Sequence, residues 1–308
     1  MLTLAAKTLV PIFLLMVAGL LARRFGLLKA GDERVLSSYI YFFAMPALSL
    51  TNLAEIHYTQ ETLRFILAGI LPVLVVVACY TLLSVFFRMS KDTLYLLIVS
   101  TVFGSVAFFG IPFITFAIPT PEAEHLSILA VASISPLSVG ACITVLELRK
   151  VESTSLWKGC LEVLRNFSRN PLILSILLGS LIGLLGWEIP EPLSASLKML
   201  GKTTSAVALF MLGVFLYGRK YANMGRGFQL SLLRVIVLPL LALGAAHALA
   251  LPNLEKTVLV LMHSTPIAVS VIVLSERYDF FKETIASLTL VSSLGGGLYS
   301  FLWLSIIG

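Results

Sequence analysis

Two short stretches hold most of the side chains in this sequence that could handle a polar molecule. The first is Ser100-Thr101 followed by Gly104-Ser105-Val106-Ala107-Phe108-Phe109-Gly110-Ile111-Pro112. The second is His263-Ser264-Thr265-Pro266-Ile267-Ala268-Val269-Ser270. Both interrupt long apolar runs, the first spanning Leu94 to Phe116 and the second Thr257 to Leu274. Glycine and proline break a helix there, and a broken backbone in hydrocarbon exposes N–H and C=O groups at a cost of several kcal/mol each. Such breaks are tolerated where they line a protein cavity. One in each half of a chain points to a substrate site at the interface of two repeats. Hydroxyls together with the free N–H groups at the start of a half-helix suit an anion. The candidate binding residues are therefore Thr101, Gly104, Ser105, Gly110, Pro112, His263, Ser264, Thr265, Pro266 and Ser270.

Titratable groups are scarce in the apolar runs. Every Asp and Glu falls in a loop or near the end of a run, with Glu55 and Glu147 closest to a boundary. Embedded acids and histidines are the usual proton carriers in membranes. Only His247 and His263 are placed for that role, and His263 lies beside the second break. His247 is expected to bond a neighbouring helix. Arg234 is grouped with the basic residues of a loop, so no Arg or Lys is expected at the midplane. An anion would then be held by hydroxyls and backbone alone.

The composition sets the frame for these residues. The chain has 308 residues, 58% hydrophobic and only 12% charged, about half the usual charged share of a soluble domain. It reads as an all-α polytopic membrane protein. Ten transmembrane helices are expected, at about 5–22, 35–53, 63–87, 94–117, 126–148, 170–187, 194–217, 230–250, 255–274 and 284–307. The net charge of +6 does not point to nucleic acid. Arg23, Arg24, Lys29, Arg34, Arg88, Lys91, Arg149, Lys150, Lys158, Arg165, Arg169, Arg219, Lys220, Arg226, Arg234, Arg277 and Lys282 gather in alternate loops, as the positive-inside bias requires. The opposite loops carry Glu122, Glu124, Glu188 and Glu191. Both termini are thereby expected outside. The run Thr8–Ala22 has its cluster Arg23-Arg24 on the wrong side for a secretory signal, so it reads as a first helix.

An odd number of helices per half makes the two halves inverted. Residues 1–148 form the expected first repeat, 149–169 a basic cytoplasmic linker, and 170–308 the second repeat. Pro11 and Gly19 have the same separation as Pro171 and Gly179. Leu71-Pro72-Val73-Leu74 answers Leu238-Pro239-Leu240-Leu241, and Ser100-Thr101 answers Ser264-Thr265. Pro46 is expected to kink the second helix. Cys79, Cys142 and Cys160 show neither zinc spacing nor an even disulfide count, and read as reduced packing residues. No zinc-protease motif, nucleophile elbow, phosphate loop or cofactor motif is present, so the chain does not read as an enzyme. A channel or receptor would share the spans without explaining the paired breaks.

In order along the chain, Met45-Pro46-Ala47-Leu48, Gly110-Ile111-Pro112, Asn170-Pro171, Ala208-Leu209-Phe210-Met211-Leu212-Gly213 and Pro239-Leu240-Leu241 resemble the auxin efflux carrier family. The likeness covers nearly the whole chain. It implies two inverted five-helix repeats, with discontinuous helices 4 and 9 crossing in a transport domain. Helices 1, 2, 6 and 7 would form a scaffold, with a homodimer through helices 2 and 7 and elevator-like movement of a small organic anion, a carboxylate. A multi-pass protein of a cell membrane, the inner membrane in a bacterium, is implied. Family members commonly carry Asn where this chain has Ser105, and that Asn helps hold the substrate carboxylate. Val271 stands where plant relatives carry a second proline. A sensor on a carrier scaffold is the alternative that Ser105 suggests. A sodium-coupled symporter of the related bile acid group is the other, although the acidic and amide-rich sodium sites expected there are not evident.

Overall fold

A computed structural model describes residues 2–55, 59–150, 171–218 and 221–307. It is built of helices, with no strand among the described residues. In chain order these are α1 (Leu2–Arg24), α2 (Glu33–Tyr39), α3 (Met45–Ala54), α4 (Gln60–Phe86), α5 (Lys91–Val102), α6 (Ile111–Ala117) and α7 (Pro121–Lys150). The second half holds α8 (Pro171–Leu185), α9 (Glu191–Leu216), α10 (Met224–Ala248), α11 (Asn253–His263), α12 (Ser270–Arg277) and α13 (Lys282–Ile307). The segments α4, α7, α9, α10 and α13 are long and apolar enough to cross a membrane, and 106–117 and 174–185 are shorter apolar helices. The expected linker lies outside the described residues from 151 onward, as does Cys160.

The caps follow local chemistry. Thr59 and Thr62 exchange side-chain and backbone bonds at the start of α4, and the Ser90 hydroxyl accepts from the Thr93 N–H at the start of α5. Proline shapes the interiors. Pro46 and Pro112 each follow a π-helical turn, at Ile40–Ala44 and Val106–Gly110. A proline ring collides with the carbonyl four residues back, here Phe42 and Phe108. Widening that turn lets the helix run on, so Pro46 bends its helix through a π turn.

Elsewhere a side chain replaces the donor that proline lacks. Pro239 cannot bond the Val235 carbonyl, and Trp303 Nε1 of α13 donates to it at 2.8 Å. Pro266 cannot bond the Met262 carbonyl, and the Thr265 hydroxyl does so at 3.0 Å. Without water, such substitutions are how helices carrying proline keep their polar groups satisfied.

Packing sorts the helices into two groups. In one, α1 lies on α9 and α3 lies on α8, with α9 also against α3. In the other, α10 packs against α13, α11, α4 and α5, while α7 covers α4, α5 and α11. Small residues let the first group approach backbone to backbone. A Cβ at Gly19 would overlap the Phe210 carbonyl oxygen, and one at Gly213 would overlap that of Met16. A Cβ at Gly179 would lie 2.8 Å from the Leu50 oxygen. Gly213→Leu is therefore expected to lower the melting temperature and yield of detergent-purified protein, with overpacking costing about 1–3 kcal/mol. Wild-type melting of that variant would show that α1 and α9 do not meet at Gly213.

Candidate functional site

The two expected breaks meet. α5 ends at Val102 and the next helical turn begins at Val106; α11 ends at His263 and α12 begins at Ser270. Between them the extended residues pair as an antiparallel bridge, Gly104 with Ile267. Ser105 N donates to Pro266 O at 2.8 Å, and Ala268 N donates to Phe103 O at 2.9 Å. The Ile267 N–H finds the Ser292 hydroxyl of α13 at 3.3 Å. Each broken helix thus satisfies part of the other's open backbone.

The remaining carbonyls are met by a residue the sequence reading assigned to a loop. Arg234 lies within α10 and is 1% exposed. Its Nε donates to Thr265 O at 2.7 Å and its Nη2 to Thr265 Oγ1 at 3.1 Å, while Nη1 donates to Thr101 O. Gly104 is what admits it, since a Cβ there would overlap Nη2 and sit 2.9 Å from Thr265 Oγ1. The expectation of no Arg or Lys at the crossing is overturned. A hydropathy window treats an arginine near the end of an apolar run as a boundary. The helical period was the usable signal: Gly227, Leu230, Ser231, Arg234, Leu238 and Ala242 form the buried stripe of α10, opposite exposed Leu233, Ile236 and Leu240.

Arg234 makes no ion pair among the described residues. No Asp or Glu is buried among the residues whose burial is described. Its charge faces the C-terminal ends of α5 and α11, where helix carbonyls carry partial negative charge. Tyr80 of α4, also missed from sequence, shares a hydrogen bond of 3.1 Å with Thr101 Oγ1. It fixes the same residue whose carbonyl Arg234 holds.

A cavity of about 460 Å³ adjoins the crossing. One wall is the crossing itself, with Gly104, Ser105, Val106, Ala107 and Phe108 from the first break and Ala268 and Ser270 from the second. Ser135, Pro136 and Val139 of α7 extend it. Ser37, Tyr41 and Met45 at the α2–α3 junction and Leu172 and Ile176 of α8 close the other side. The lining is mostly apolar with a few hydroxyls, and the volume suits a small organic molecule. Ser105 is 5% exposed and its buried hydroxyl has no partner; among the unpartnered buried polar atoms described, it alone belongs to a lining residue. Ser105 and Ser270 stand where two half-helices begin; in the second, the Val271 and Ile272 N–H groups already bond Ala268 O and Val269 O, both at 3.0 Å.

The sequence candidates therefore separate. Gly104, Ser105 and Ser270 line the cavity. Thr101, Thr265 and Pro266 build the crossing behind it. Gly110 is a contact glycine, its built Cβ 2.8 Å from Met262 Sδ, and Pro112 sits in the first turn of α6 after the π turn. Ser264 shares a hydrogen bond of 3.0 Å with Ser300. His263 is buried with Nε2 3.1 Å from the Gly69 carbonyl of α4, and it is not a lining residue. His247 bonds the Leu243 carbonyl of its own helix and is exposed, contrary to the expected bond with a neighbouring one.

The tight seat of Arg234 gives a paired expectation. Gly104→Ala should lower the melting temperature of the purified protein, because the added methyl and the guanidinium compete for one space. Gly244→Ala, in the same helix as Arg234 but with nothing within 4 Å of its built Cβ, should leave melting unchanged or raise it. Equal melting temperatures for the two variants would refute the packing of Arg234 against Gly104.

Comparison with known proteins agrees with this architecture. The family described as membrane transport protein matches residues 4–135 and 116–304. An uncharacterized transporter of Methanocaldococcus jannaschii, MJ1031, is 23% identical over 305 residues, covering 95% of each chain. An uncharacterized transporter of Escherichia coli, YfdV, is 23% identical over 317 aligned residues, covering 99% of this chain and 98% of its own. With motifs and family match running along the same length, the chain belongs to the membrane transport proteins of the auxin efflux carrier family.

Proposed function

We propose that this protein is a secondary or facilitative carrier for a small organic anion, bound at the wall formed by the two broken helices. The carrying observation is the Ser105 hydroxyl, buried and unpartnered on the cavity wall where two half-helices begin. A buried hydroxyl without a partner costs about 1–3 kcal/mol, which a bound acceptor such as a carboxylate offsets. The half-helix N-termini add partial positive charge at the same wall, and the Arg234 charge lies behind it. His263 is bonded to backbone away from the cavity, which favours a structural role over proton transfer.

The test is uptake by proteoliposomes across a panel of small carboxylates and indole acids. One or more should show saturable flux, and Ser105→Ala should raise the apparent KM roughly tenfold or more, the worth of one hydrogen bond to a charged group. Saturable binding without flux would replace the carrier by a sensor. Unchanged KM in Ser105→Ala would move the site away from this wall.

The same reading takes the chain as ten crossings in two inverted five-helix repeats. The α1–α9 and α3–α8 contacts support it, since a backbone-approach glycine, Gly19 or Gly179, stands at corresponding places in the first and sixth helices. The cavity lies between the α1, α3, α8 and α9 group and the group holding the crossing, as an elevator-like motion of one past the other would require. Its lining includes Ser37, Ile143, Leu172 and Leu274, toward the basic-loop ends of α2, α7, α8 and α12, which supports reading this conformation as inward-facing. Two copies would meet through α2–α3 and α9, where Phe42, Phe43, Leu193 and Met199 are exposed. The basic-loop side would face the cytoplasm of a cell, across the inner membrane in a bacterium, with both termini outside. Single cysteines at positions 90 and 121, in a variant otherwise free of cysteine, should label from inside and outside respectively. The reverse pattern would overturn this orientation.

A further inference from the structure

Three oxygens converge on one point at the crossing: Thr101 O, Thr265 O and Thr265 Oγ1. They come from the C-terminal ends of two different broken helices. Each such end carries roughly −0.5 elementary charge, so the two together present about −1. Hard oxygen donors at two negative helix ends are the kind of set that takes a small monovalent cation, which trades its hydration shell for carbonyl oxygens. Here the space is filled from within the chain. One guanidinium, fully buried and without a carboxylate partner among the described residues, supplies a charge of matching size and donates to all three oxygens. An arginine cannot lose its proton in a protein and cannot diffuse away.

We propose that Arg234 is a permanently tethered cation at the crossing, standing where a free sodium or potassium ion would otherwise be needed to hold the two broken helices together. The crossing then binds no free metal cation, and assembly of the site is independent of the ions in solution. The partial positive charge of the half-helix N-termini on the cavity side is left for an anion. The consequence for transport rests on the carrier reading above. The cation assignment itself is tested through thermal stability, so either can fail without the other.

The experiment uses purified full-length protein in detergent and reads the melting temperature at constant ionic strength. The wild type should melt at the same temperature in sodium, potassium and choline chloride. Arg234→Ala should melt roughly 5–10 °C lower. Added guanidinium chloride at low concentration should restore much of that loss, whereas urea, which has nearly the same shape but no charge, should not. Specific stabilisation of the wild type by sodium or potassium over choline would overturn the proposal. So would equal restoration of Arg234→Ala by urea, or no restoration by guanidinium. If Arg234→Ala yields no protein, the comparison passes to Arg234→Lys and Arg234→Gln. Lysine keeps the charge and should melt closer to wild type than glutamine, which keeps polarity alone, and the opposite order would refute the assignment.

Discussion

Everything near the site depends on one constraint: two helices are broken where there is no water to receive their open backbone groups. Several of these groups find partners across the crossing. Phe103 O takes Ala268 N–H, Pro266 O takes Ser105 N–H, and Ile267 N–H takes Ser292. Thr101 O and Thr265 O take the Arg234 guanidinium. These partners come from both halves of the chain. The crossing is a closed polar unit in an apolar interior, and it is costly to satisfy only in part.

That unit explains residues which otherwise look unrelated. Gly104 is small because a guanidinium occupies the space a side chain would take, and Gly110 because Met262 and Thr265 lie against it. Thr265 serves three times, through its carbonyl to Arg234, through its hydroxyl as acceptor from Arg234, and through the same hydroxyl as donor to Met262 O. Tyr80 and Ser300 reach the breaks from helices on different sides. The exception is Ser105, a cavity-lining residue whose N–H and carbonyl are bonded while its buried hydroxyl has no partner. Within the crossing, that is where polar capacity is left over for something outside the protein.

The two helix groups use different means of cohesion. In the group of α1, α3, α8 and α9, glycines bring backbones into direct contact, and dispersion at close range does the holding. The group around the crossing adds hydrogen bonds through hydroxyls and the buried arginine. The cavity lies where the two meet, against the apolar face of α2–α3 and α8.

The sequence by itself determined the helical membrane class, the positions of both breaks and the family likeness. These depend on local properties: hydropathy over a helix length, and glycine and proline acting on their own backbone. It also placed Gly104, Ser105 and Ser270 among the cavity candidates. It could not separate them from Thr101, Thr265 or His263, since residues on one broken span look alike until the partner span is in place. Arg234 was misassigned because a charge counts against a membrane span when its environment is unknown, and its three oxygen partners lie 31 and 133 positions away in the chain. His263 could be read from sequence as a proton carrier or as a structural histidine, and the Gly69 carbonyl that lies against its Nε2 is 194 positions distant. Only the tertiary structure decided which polar groups are spent on each other and which one remains, because that depends on which carbonyl each donor reaches across the crossing.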